Sequence, residues 1–148
     1  MVSQRAVHFA DGEMPVLEMV VEHGGARWTI RAIHALAPAS RELWHRRNRF
    51  LALLANEMTW DEHTILVGDF NTSSGSGAWR DLAARTSLDD SRAGFGWQPS
   101  WATDQKIRGI PTDLDHVLVG SAIRVHDRRL TNVPGSDHRG VVVQLAPR

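Results

Sequence analysis

Cysteine is absent from the 148 residues, which removes disulfides, thiolate zinc centres and thiol nucleophiles together and leaves the redox compartment unspecified. Neither charge sign is in surplus. Seventeen Lys and Arg meet 17 Asp and Glu, so the usual electrostatic argument for a nucleic-acid coat or a polybasic membrane binder is missing, although a local patch stays open. No apolar run approaches the roughly 18 residues that span a bilayer, and the opening stretch MVSQRAVHFADGEMP lacks a signal-peptide core. No cellular location follows from either. Internal repeats, low-complexity tracts, a G-x-S-x-G elbow, a Walker phosphate loop and an H-E-x-x-H helix are lacking too. Consecutive Ser136, Asp137 and His138 do not suit a Ser-His-Asp triad, which needs its three side chains lined up around the nucleophile.

What is present describes one globular domain, or most of one, with 42% hydrophobic and 23% charged residues. Short apolar runs alternate with one strong helical stretch, which reads as α/β. Val16 to Glu22 and Trp28 to Leu36 are rich in strand formers, and His23-Gly24-Gly25 between them tolerates positive φ, so a hairpin is expected. Ser40 can cap a helix running through Met58, because Leu43, Phe50, Leu51, Leu54 and Met58 recur at helical spacing. Thr64 to Val67 is a continuous apolar run ending in Gly68, as in a strand buried on both faces. Gly77 to Thr86 suits a short amphipathic helix. Asp89 to Pro111, rich in Gly, Trp and Pro, reads as an irregular loop that could face a substrate. Leu114 to Val119, Ile123 to Asp127 and Val141 to Leu145 complete the expected strands.

Four segments could carry chemistry. In Val67-Gly68-Asp69-Phe70-Asn71 an apolar strand runs into an acid and an amide two residues apart. In extended geometry Asp69 and Asn71 project to one side while Phe70 turns to the core. That side would be a strand's carboxyl end, where open α/β sheets bind ligands; the same spacing also serves a simple capped turn. Gly135 to Gly140 sets Asp137 beside His138 in a segment whose glycines permit bending, a pairing suited to metal-assisted hydrolysis or to a polar turn. Asp113 and Asp115 share a face at a strand mouth, where a carboxylate could fix the tautomer of a distant histidine or be merely solvated. His34 closes a predicted strand, as a site residue or a structural one.

Taken in order, His34 after a strand, Gly68-Asp69-Phe70-Asn71, an acid-histidine pair opening a strand, and Ser136-Asp137-His138 before the last strand resemble the C-terminal portion of the endonuclease/exonuclease/phosphatase superfamily, the deoxyribonuclease-I-like fold. The resemblance spans Val16 to Leu145. It implies part of a two-sheet α/β sandwich flanked by helices, forming a single domain over 1–148, and a phosphodiesterase or nuclease-like activity with Mg²⁺ or Mn²⁺. On matching positions, His34 would bind the scissile phosphate or assist the leaving oxygen, and Asp69 and Asn71 would orient the attacking water and the phosphate. Asp137 would be a metal ligand. Asp115 would brace His138, which stabilises the pentacovalent phosphorus or accepts a proton. Trp97 and Trp101, in the irregular loop, could stack on a substrate base or pack into the core. Arg41, Arg46, Arg47 and Arg49 could touch phosphates or form a solvated helix face.

The chain also departs from the family pattern. Members carry a preceding βα half with an asparagine and a metal-binding glutamate, and Glu18 and Glu22 fit no part of that motif. The expectation is therefore of a truncated chain, N-terminal strands missing, with an uncovered apolar sheet face. Either an N-terminal complement or self-association would cover it, or the chain is a non-catalytic remnant or assembly module. Substrates from small phosphodiesters to nucleic acid fit equally.

Overall fold

In the computed structural model, which describes residues 2–9, 14–101 and 110–148, strands and helices alternate as the apolar periodicity requires. β1 (Ser3–Val7), β2 (Val16–His23), β3 (Ala26–His34), α1 (Arg41–Glu57), β4 (Thr64–Asp69), α2 (Gly77–Thr86), β5 (Asp89–Asp90), β6 (Asp115–Val119), β7 (Ile123–Asn132) and β8 (Arg139–Pro147) follow in chain order. Six strands form one mixed sheet in the order β1-β2-β3-β4-β6-β5, and β7 and β8 form a second. Among the described residues no helix is long and apolar enough to cross a membrane.

The β2–β3 hairpin closes through Gly24 and Gly25 at φ of 62° and 79°, the left-handed pair that a two-residue turn demands. Ser40 caps α1, its hydroxyl accepting the Leu43 N–H at 3.1 Å, and Ser76 does the same for α2 through Trp79. Phe50, Leu51, Leu54 and Leu82 of these helices pack on Ile33, Leu66, Phe70 and Leu118 to form the core on one face of the large sheet. On the other face Trp28, Ile65, Val117 and Val119 meet the β7–β8 pair. The result is a sheet-on-sheet sandwich with helices outside.

Three details differ from the expectation. β1 is an edge strand that pairs antiparallel with β2; its SQRAV sequence is largely exposed and so carries no alternating apolar signal. β3 stops at His34 because the next residues leave the ladder toward Pro38, while β7 and β8 extend beyond their apolar segments through pairing alone. Asp89–Asp90 adds a short strand to the segment read as irregular. Residues 102–109 of that segment lie outside the described residues. Over β2 and β3 the inner sheet face is open: Leu17 is 57% exposed, and Leu17, Met19, Ile30 and Ala32 line a concavity of about 560 Å³.

Candidate active site

Strand register builds the site. His34 at the end of β3 stands opposite Asp69 at the end of parallel β4, and Asp69 stands opposite Asp115, the first residue of antiparallel β6. Register partners share a sheet face, so three polar side chains form a row across three strands at one sheet edge. His138, just before β8, completes it: its Nδ1 lies 2.7 Å from Asp115 Oδ2. A carboxylate only accepts, so Nδ1 carries the proton and Nε2 is left for the cleft. His34 Nε2 lies 3.7 Å from Asp69 Oδ2. One ligand atom each of Asp69, Asp115 and His138 falls within 4.8 Å of the other two.

Asn71 joins the row by a route different from the expected one. It is not extended: its φ is 47°. The turn bends back so that its N–H donates to Asp69 Oδ1 at 2.7 Å, and its Nδ2 donates to the Ala35 carbonyl at 2.8 Å and to Asp69 Oδ2 at 3.1 Å. The capped turn and the site are therefore one geometry. Because both Nδ2 partners are acceptors, the amide's orientation is fixed and only its Oδ1 is free, an acceptor for a water proton rather than a donor to a phosphate. Phe70 between them is fully buried, as its position predicted.

His34, Asp69, Asn71, Asp115 and His138, with Asp137 and Trp101, line a cleft of about 880 Å³ that Ala37-Pro38-Ala39 also lines. The Trp101 indole N–H donates to Asp137 Oδ2 at 3.2 Å. Trp97 is 67% exposed and is not among the residues lining the cleft. Asp113, which shared the open reading with Asp115, is buried and accepts from the Ser74 N–H and hydroxyl and from Arg92. It does not line the cleft.

Electrostatics follow from this packing. Burial pushes the Asp69 carboxyl above the usual range; the Asp115 charge adds to this, while the Asn71 N–H and the charges of His138 and His34 oppose it. For His138 burial pulls downward but is outweighed by the hydrogen bond and charge of Asp115 and by the charges of Asp69 and Asp137, so the imidazole holds its proton more firmly than usual. Among the described residues no lysine or arginine lines the cleft against its three carboxylates. Such an oxygen-rich, negative donor set fits a hard divalent cation.

Arg47 is the residue that sequence reasoning failed to separate from its neighbours. It is buried, unlike a solvated helix face, and donates to the Asn71 carbonyl and, at 2.7 Å, to Asn48 Oδ1. A signal existed: Arg47 falls four residues after Leu43 and three before Phe50, on the apolar stripe of α1.

A model of the Endonuclease/Exonuclease/phosphatase family matches residues 6–138. The chain belongs to this family. Members hydrolyse phosphate esters, and the deoxyribonuclease-I-like architecture is shared with solved structures of low identity. An endonuclease/exonuclease/phosphatase from Beutenbergia cavernae aligns with 99% of this chain and 45% of its own at TM-score 0.81 and 19% identity. The human nocturnin catalytic domain with bound sulfate aligns over 99% of this chain and 59% of its own at TM-score 0.73 and 16% identity. D. rerio TDP2 complexed with a single-strand DNA product covers 98% and 67% at TM-score 0.73 and 14% identity. No curated protein sequence matches the chain. Against the B. cavernae protein and nocturnin, the chain thus spans about half the length of the structures it resembles.

Proposed function

We propose that this chain carries the working residues of a divalent-cation-dependent phosphoesterase that hydrolyses phosphodiesters, with a nucleic-acid or small-molecule leaving group. The observation that supports this reading most is the single cleft shared by His34, Asp69, Asn71, Asp115, Asp137 and His138. A phosphodiester repels an incoming hydroxide, so hydrolysis needs a held water, donors for the phosphoryl oxygens and compensating positive charge. Asp69, its carboxyl raised by burial, would accept a hydrogen bond from the attacking water, with Asn71 Oδ1 as a second acceptor. His138, braced by Asp115 and protonated more readily than usual, would present an Nε2–H to a phosphoryl oxygen. His34, on the cleft rim, would meet the phosphate or the departing oxygen. Asp137 would hold Mg²⁺ or Mn²⁺, which supplies Lewis-acid stabilisation of developing charge. Trp101, also lining the cleft, would bound the substrate's organic part.

The test is hydrolysis of bis(4-nitrophenyl) phosphate with Mg²⁺, with Mn²⁺ and with chelator, for the chain alone and supplemented with the N-terminal region of a family relative. We expect cation-dependent turnover that falls about 10²–10⁴-fold in Asp69→Ala and in His138→Ala with the circular dichroism unchanged. Equal rates in these variants would refute the assignment. A second reading, an assembly module without turnover, draws on the open face at Leu17 and Ile30. It predicts concentration-dependent association in sedimentation and no hydrolysis in any supplemented form.

A further inference from the structure

The proposed Asp115–His138 pair spans two sheets: Asp115 opens β6, and His138 precedes β8. No ladder fixes one against the other. β5 pairs with β6 only at Leu118 and Val119, so among the described residues the mouth of β6 has no flanking strand on that side. Ser100 and Trp101 fill the gap. Trp101 forms isolated bridges to both Thr112 and His138. The N–H groups of Ser100 and Trp101 donate to the Thr112 carbonyl at 3.1 and 3.0 Å, and the Thr112 N–H returns to Trp101 at 3.2 Å. On the other side the Arg139 N–H donates to the Ser100 carbonyl at 2.7 Å.

Ser100 adds a grip that its neighbour lacks. Its hydroxyl oxygen accepts the N–H of Leu114 at 3.2 Å and of Asp115 at 3.0 Å, and the residue is completely buried. One residue therefore holds the backbone of Asp115 with its side chain and the backbone beside His138 with its carbonyl. An alanine would fill nearly the same space but would strip the part-buried Leu114 and Asp115 N–H groups of this acceptor. The hydroxyl is what the position requires.

We infer that Ser100 is a positioning residue, setting the 2.7 Å contact between Asp115 and His138 across the two sheets. The inference rests on the reading of that pair as part of the catalytic machinery. Ser100 is not among the residues lining the cleft; it acts by keeping the imidazole in the Nδ1-protonated tautomer and aimed into the cleft. Long-range proton–nitrogen correlation spectra of the His138 ring, recorded on the chain at a pH above the imidazole titration that the same spectra locate, report which nitrogen carries the proton. The wild type is expected to be Nδ1-protonated. In Ser100→Ala, and in Ser100→Cys, whose sulfur fills the space but accepts weakly, the Nε2-protonated form should grow. In parallel kcat should fall about 10–100-fold with KM changed less than about twofold.

If Ser100→Ala fails to fold, Ser100→Cys decides. A folded Ser100→Cys that keeps the wild-type tautomer, or that keeps wild-type kcat where the wild type turns over, overturns the inference. A tautomer shift in a protein that shows no turnover even when supplemented with the N-terminal region upholds the positioning role and removes the phosphoesterase reading instead.

Discussion

Gly68→Ala is the substitution whose consequence follows most directly from the backbone. Gly68 stands in β4 between Ile33 of β3 and His116 of β6, at φ of 146°, a conformation that side chains rarely adopt. A methyl group built there would lie 1.9 Å from the Ile33 carbonyl oxygen, inside the 3.0 Å that Cβ atoms essentially never breach, and this neighbour is backbone rather than a side chain that can swing away. Relief requires β3 and β4 to part by more than about 1 Å, which breaks the hydrogen bonds flanking the contact. A strained φ costs about 1–3 kcal/mol and each lost ladder bond about 1 kcal/mol. The sum is about 3–5 kcal/mol, or a fall in Tm of roughly 6–20 °C for a chain of this length. The register pair beside Gly68 is His34 and Asp69, so the parting also spoils the site. Calorimetry and urea titration of Gly68→Ala beside Gly77→Ala provide the check. Gly77 opens α2 and an added methyl there meets nothing within 4 Å, so that variant should match the wild type or gain up to about 1 kcal/mol. A Gly68→Ala protein melting within about 2 °C of wild type would refute the close-approach argument.

Three further outcomes are expected. His116 is buried against Phe70 and Trp79, with its Nε2–H donating to the Thr72 carbonyl at 2.9 Å; burial lowers its pKa despite that bond. Its unfolded form therefore binds a proton first, and stability present above about pH 6.5 is lost as pH falls, by at most about 1.4 kcal/mol per unit. His138 is raised and works in the other window, its contribution complete below about pH 6.5 and lost as pH climbs through its folded value, so it does not mask the acid limb; urea titrations of wild type and His116→Gln between about pH 7 and 5 should differ in slope, and parallel curves would count against the burial account. Arg47→Met strips the Asn71 carbonyl of its buried donor and should cost about 1–3 kcal/mol in chemical denaturation; unchanged stability would mean that the turn at Asn71 holds itself. Trp101→Phe deletes the N–H on Asp137 and should weaken Mn²⁺ affinity about tenfold by calorimetric titration, whereas equal affinity would detach Asp137 from the cation.

How far the sequence could be read depended on whether a residue's task is local. Helix α1 carries its own signals, a serine cap and an apolar stripe, and the β2–β3 hairpin carries its two glycines. β1 carries none, because SQRAV is held by the unpaired edge of β2 rather than by its own pattern. Among the candidate site residues, Asp69, Asn71 and the Asp137-His138 pair sit in recognisable short strings. Their convergence comes from the register of β3, β4 and β6 for His34, Asp69 and Asp115 and from the contacts of Asp115 and Trp101 with His138 between the sheets, long-range properties that spacing does not encode; the order of the strings, matched to a family, stood in for them.

Residues that serve another residue's backbone were the hardest to find. Arg47 holds the Asn71 carbonyl, Ser100 holds the Leu114 and Asp115 N–H groups, and Asp113 holds the Ser74 N–H. A backbone group has no residue type, so its partner leaves no complementary letter to search for. What remains legible is a mismatch with the surroundings: an arginine on the apolar stripe of a helix, or a serine between a proline and a tryptophan in a loop without periodicity. A buried polar residue at such a place must be satisfied by something, and when no charged side chain is within reach in sequence, the satisfying group comes from another element, whether main chain or a neutral polar side chain. Applied forward, that reasoning points to Arg128, which is 3% exposed on β7. It meets Ser91 at 3.2 Å and the Gln98 side chain, while the Gln98 amide donates back to the Arg128 carbonyl at 3.1 Å, so this arginine ties the loop after β5 to the second sheet just upstream of Ser100.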